Sequence, residues 1–171
     1  FLGTGTSEGV PRVSCLTNPD SKCAVCPDAI RPGSLNRRRN TSLLIQRPMA
    51  DGSTNNIVID AGKFFYESAI QWFPKYSVSS IDALVVTHSH ADAVGGFDDL
   101  RDWTNNAQES LPIYLRKSDY EAVESLFFYL VDRNRQSGGG GVAKINFNII
   151  DHKPFSVDGI EFVPLPVEHG P

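Results

Sequence analysis

An apolar run, Ile81-Asp82-Ala83-Leu84-Val85-Val86, stops at the polar string Thr87-His88-Ser89-His90-Ala91-Asp92. This junction constrains the fold more than any other stretch. A short, β-branched apolar run reads as a buried strand, and alternate residues of extended chain point the same way. His88 and His90 can therefore turn both imidazoles to one ion, with Asp92 just beyond. The chain has only four histidines in 171 residues, and imidazole is the commonest metal ligand. Three ligand-type side chains within five residues at a strand end point to a metal centre. A solvated polar turn is the plainer alternative.

The surroundings alternate strands and helices. Residues 42–46 and 56–60 read as strands about a turn at Asp51-Gly52-Ser53, and 64–73 has helical spacing that Pro74 ends. Further strands are expected over 111–115, 144–150 and 160–167. A helix is expected over 118–131, opened by a capping box of Ser118 and Glu121. Residues 136–141, with four glycines, read as a flexible loop. The alternation gives an α/β class, α+β in some schemes, with sheets covered by helices.

Residues before 41 are rich in Gly, Pro and Ser and carry three cysteines, Cys15, Cys23 and Cys26, the last two as a CxxC. Three cysteines cannot all pair with one another, and the spacing suits metal ligation better than a disulfide frame. Ordinary free thiols are the alternative. The reading implies a reducing compartment, so an intracellular, cytoplasmic location is expected. Sixteen Lys and Arg against twenty Asp and Glu give a net charge of −4. Bulk charge therefore does not indicate nucleic-acid binding. No apolar run reaches the roughly 18 residues of a membrane helix, so no membrane partner is expected.

The string His88-Ser89-His90-Ala91-Asp92 resembles the His-x-His-x-Asp-His signature of the metallo-β-lactamase superfamily. Ile57-Val58-Ile59-Asp60-Ala61-Gly62 is similar to that family's first motif, and Val163 to Gly170 to the strand delivering a third histidine, here His169. The opening Phe1-Leu2-Gly3-Thr4-Gly5-Thr6-Ser7 and the cysteines resemble the branch of ribonuclease Z and the cyclic phosphodiesterase of phosphonate breakdown. The resemblance implies an αββα sandwich of which residues 1–171 look like the N-terminal two-thirds. It makes them a single metallo-hydrolase domain, with residues 12–40 a Cys-containing loop insertion.

It further implies that His88, His90 and His169 hold one divalent ion (zinc, manganese or iron) and that Asp92 faces a second and orients the attacking water. Asp60 would support them by hydrogen bonding. Cys15, Cys23 and Cys26 would hold a structural zinc, with His152 or a residue past the chain's end as the fourth ligand. Ala93 departs from the pattern, standing where the family has a histidine for the second ion, so that either one ion serves or another side chain substitutes. Asp98 or Asp99 is a candidate replacement, although acids in a helix's first turn are favoured by its dipole alone. Arg37, Arg38 and Arg39 are either phosphate contacts or a solvated basic turn. The expected activity is metal-dependent hydrolysis of a small-molecule or nucleotide phosphodiester. The alternatives are an ester or thioester hydrolase on the same fold, and a non-catalytic metal-binding relative.

Overall fold

The computed structural model describes residues 1–132, 134 and 141–169. Two short helices, α1 (Val13–Thr17) and α2 (Val25–Ala29), lie in the cysteine-bearing segment. Strands β1 (Leu43–Pro48) and β2 (Thr54–Ile59) pair as an antiparallel hairpin. Helix α3 (Phe65–Trp72) follows, then β3 (Ala83–Val85), α4 (Ala91–Val94), α5 (Arg101–Asn106) and β4 (Leu111–Arg116). Helices α6 (Lys117–Leu126) and α7 (Phe128–Val131) lead to β5 (Ile145–Ile150) and the hairpin β6 (Phe155–Val157) with β7 (Ile160–Phe162).

The main sheet has the order β1-β2-β3-β4-β5, with every pair after the first hairpin parallel. One face carries the helices: Val58, Leu84, Ile113 and Leu115 pack against Phe65, Phe97, Leu100 and Val123. Each such fully buried side chain contributes roughly 1.5–3 kcal/mol by transfer from water. The other face packs Ile57, Ala83 and Val85 against Val157, with Phe155, Ile160 and Phe162 alongside. Central β3 is buried along its whole length, which is why it reads as an unbroken apolar run. Its C-terminal end meets the polar string at Thr87, and in open parallel sheets that end is where ligand-binding loops gather.

Three expected elements form differently in the structure. Helix α6 begins at Lys117 with Arg116 at its N-cap and no side-chain cap, so Ser118 and Glu121 form no capping box. Strand β4 runs on to Arg116, and the Arg116 Nε–H is donated to buried Asp119 at 2.8 Å instead. The expected single helix over 118–131 breaks at Phe127, whose ring stacks on Phe97 at 5.9 Å. The last strand stops at Phe162, because Pro164 and Pro166 have no N–H to give a ladder. The glycine loop expected over 136–141 lies outside the described residues, except for Gly141. Among the described residues no helix is long and apolar enough to cross a membrane.

Candidate metal centre

Asp60, the residue after β2, adopts φ 60, the left-handed region that a non-glycine residue occupies only under constraint. Its backbone N–H is donated to Val85 O, and its own carbonyl accepts the Ser42 hydroxyl at 2.8 Å. The chain then passes so close to the next loop that a Cβ on Gly62 would stand 2.0 Å from Asp92 O. Only glycine permits that approach. Through it the β2 loop clamps the histidine loop.

The Asp60 carboxylate, buried with 7% of its residue surface exposed, holds Thr87 with both oxygens. Oδ1 accepts the Thr87 N–H at 2.8 Å, and Oδ2 accepts the Thr87 hydroxyl at 2.6 Å. Thr87 Oγ1 in turn lies 3.0 Å from His88 Nδ1. Desolvation raises the Asp60 pKa above the ordinary carboxylate value, against the lowering by the two Thr87 hydrogen bonds.

One ring nitrogen from each of His88, His90 and His169 lies within 4.8 Å of the other two. The ring centroids are 4.6 to 5.2 Å apart. His88 Nε2 is buried with no hydrogen-bond partner, and Asp92 Oδ1 is 3.5 Å from it. An orphaned nitrogen facing a carboxylate and two more imidazoles is a donor set that suits a cation. Separations of this size close onto bonds of about 2.1 Å with small side-chain adjustments. Desolvation pushes the Asp92 pKa up, but the Ser7 hydrogen bond at 2.7 Å and the neighbouring histidines outweigh it, and the net shift is down.

The three cysteine sulfurs also lie within 4.8 Å of one another. Arg12 N–H points to Cys26 Sγ at 3.4 Å and Cys26 N–H to Cys23 Sγ at 3.5 Å. Hydrogen bonds led by the Cys26 N–H, with the Cys26 thiol and the Val25 N–H, lower the Cys23 pKa to about 7. For Cys26 the Arg12 N–H acts downward, but desolvation and the neighbouring thiols prevail and its pKa is raised. Softness suits such a sulfur set to zinc, and only Cys26 and Ala29 are buried in these two helices. His152, between β5 and β6, is not in this group.

The other expected residues are arranged differently. Asp98 accepts the Tyr129 hydroxyl at 3.2 Å and lies 3.7 Å from Arg101, and neither it nor Asp99 belongs to either ligand group. Ala93 is 1% exposed, in the helix-side core. Arg37 and Arg39 reach Glu67 at 2.8 and 3.3 Å, whereas Arg38 donates to Thr4. Two residues carry more than their sequence context suggested. Thr87 supports the histidine loop, and Ser7 reaches it from the N-terminal glycine loop, which Asn40 ties down through Thr6 O and Ser7 O at 2.9 and 3.1 Å. A hydroxyl beside a ligand motif was the only available signal for Thr87; nothing local marked Ser7.

A beta-lactamase superfamily domain matches residues 55–171. A crystal structure of a diphosphatase from the PhnP family superposes with TM-score 0.72 at 29% identity, over 98% of this chain and 56% of that one. Zinc-bound PqqB from Methylobacterium extorquens superposes with TM-score 0.59 at 17% identity, over 93% of this chain and 50% of that one. In sequence, an octanoyltransferase from Porphyromonas gingivalis is 32% identical over 170 residues, 99% of this chain but 30% of that protein. The chain thus spans about half or less of the length of these relatives. The domain match over most of the chain, with the diphosphatase superposition, shows that this chain belongs to the metallo-β-lactamase superfamily, whose members are mostly metal-dependent hydrolases.

Proposed function

We propose that this chain is the metal-binding part of a metal-dependent hydrolase of small-molecule or nucleotide phosphodiesters. The convergence of His88, His90 and His169 beside Asp92 carries the reading, and likeness to a diphosphatase at 29% identity favours phosphoryl over acyl chemistry. The three histidines would hold a divalent ion, zinc, manganese or iron. Such an ion supplies Lewis acidity and brings the pKa of a bound water from about 15.7 toward 7. Asp92, kept ionised with Ser7 as its donor, accepts a hydrogen bond from the attacking water and fixes its approach. Asp60 and Thr87 hold the loop that carries His88 and His90. The cysteines take a structural zinc that staples residues 12–40, a loop insertion within one domain.

A second reading, ester or thioester hydrolysis, draws on the relative named an octanoyltransferase. Since the chain spans 30% of that protein, the reading ranks below the first. One panel separates them. Chelator-treated protein is reloaded with zinc or manganese and offered a bis-aryl phosphate, a nucleoside diphosphate and an acyl thioester. Metal-restored phosphodiester cleavage that His88→Ala abolishes is expected. Turnover of the thioester alone, or cleavage indifferent to metal, overturns the proposal. A diphosphate preference narrows the substrate to phosphoric anhydrides.

A further inference from the structure

We infer that Thr87 is a positioning residue that sets the tautomer of His88, relaying the charge of Asp60 so that the Nε2 lone pair faces the histidine cluster. This deepens the metal-centre reading above, because it concerns a residue that would hold the ion. A threonine hydroxyl has one proton to donate and lone pairs to accept with. Here Oγ1 has two close partners: Asp60 Oδ2 at 2.6 Å and His88 Nδ1 at 3.0 Å. An ionised carboxylate only accepts, so the hydroxyl proton goes to Asp60. Toward His88 the oxygen is then the acceptor, and Nδ1 carries the ring's hydrogen. A neutral imidazole has one N–H, so Nε2 is left bare.

Nε2 itself is open to a cation. It is buried without a hydrogen-bond partner, and Asp92 Oδ1 lies 3.5 Å from it. With Nδ1 protonated, the Nε2 lone pair faces that carboxylate, and a cation between the two relieves their repulsion. Thr87 has no freedom to turn away, since its backbone N–H is bound to the other oxygen of the same carboxylate at 2.8 Å. The carboxylate is fixed in turn by the left-handed backbone at Asp60 and the bond from its N–H to Val85 O. A hydrogen-bonded orienting group of this kind typically changes metal affinity by about 10- to 100-fold.

The test is nitrogen-detected NMR of the histidine rings in metal-free protein, at about pH 8.5, well above the usual histidine range. Wild type and Thr87→Ser are expected to show the proton on Nδ1 of His88. Thr87→Val, matched in shape, should give a mixture of tautomers and a cobalt(II) affinity at the histidines about tenfold or more weaker. Asp60→Asn should reverse the relay. Its amide donates to Thr87 Oγ1, the hydroxyl then donates to Nδ1, and the proton moves to Nε2. A wild-type ring protonated on Nε2, or a tautomer unchanged in both Thr87→Val and Asp60→Asn, overturns the inference. If the expected tautomers are found and no ion binds the histidines, the proposed function fails and the relay stands.

Discussion

Ser7 donates a 2.7 Å hydrogen bond to Asp92 Oδ2 across 85 residues of sequence. The N-terminal glycine loop thereby becomes part of the metal-centre wall. Ser7→Ala is expected to lower kcat/KM about tenfold with little change in melting temperature, since an exposed hydrogen bond contributes only about 0.5–1.5 kcal/mol. Ser7 also helps hold the Asp92 pKa down. Without it Asp92 takes up its proton at higher pH, so the acid limb of the pH–rate profile moves upward. Steady-state kinetics across pH checks both effects.

Asp60 offers a stability prediction with the opposite sign. Burial raises its pKa, so ionising it costs the folded state, and the cost grows as pH rises through that raised value. Asp60→Asn removes the cost and keeps an acceptor for the Thr87 N–H. The metal-free variant should therefore melt above wild type at neutral pH, and the gap should close as pH falls through the carboxylate range. Differential scanning calorimetry at several pH values measures it.

The architecture was largely legible because local patterns agreed with it. Unbroken apolar runs gave β2 to β4, and Pro74 ended α3. The Ser118 cap failed because a strand continuing to Arg116 claims the cap position, a tertiary effect that no local motif records. Strand β6, the partner of β7, went unseen for a similar reason. It is three residues long, and Phe155 holds it on the sheet face beside Phe162 of β7. At the site, His88, His90 and Asp60 stood in recognisable strings. The Ser7 contact was illegible because its partner lies 85 residues away. The contact of Asp98 with the Tyr129 hydroxyl was illegible for the same reason, its partner lying 31 residues away.

Ala93 bears on the second ion. Its methyl lies in the core with 1% exposure, so an imidazole there must push into packed side chains. Ala93→His is expected to destabilise by about 1–3 kcal/mol, the usual cost of overpacking, without adding an ion. Denaturant unfolding and elemental analysis together decide this. An extra ion at unchanged stability contradicts it.

The cysteine cluster should behave as a staple. Cys26→Ser is expected to lose one zinc per chain and to make residues 12–40 the first segment cut in limited proteolysis. Zinc binding there should also weaken as pH falls, first as the raised Cys26 thiol competes for its proton and more steeply below about 7, where the Cys23 thiolate takes up its own. Zinc retention by Cys26→Ser contradicts the assignment.

Anomalous scattering at the zinc edge from zinc-loaded crystals tests the metal centre most directly. The expected map has one peak among the Cys15, Cys23 and Cys26 sulfurs and a second bounded by His88, His90 and His169. The second peak should vanish in His88→Ala while the first remains. A peak at the cysteines alone in the wild-type, zinc-loaded protein would contradict a catalytic metal at the histidines.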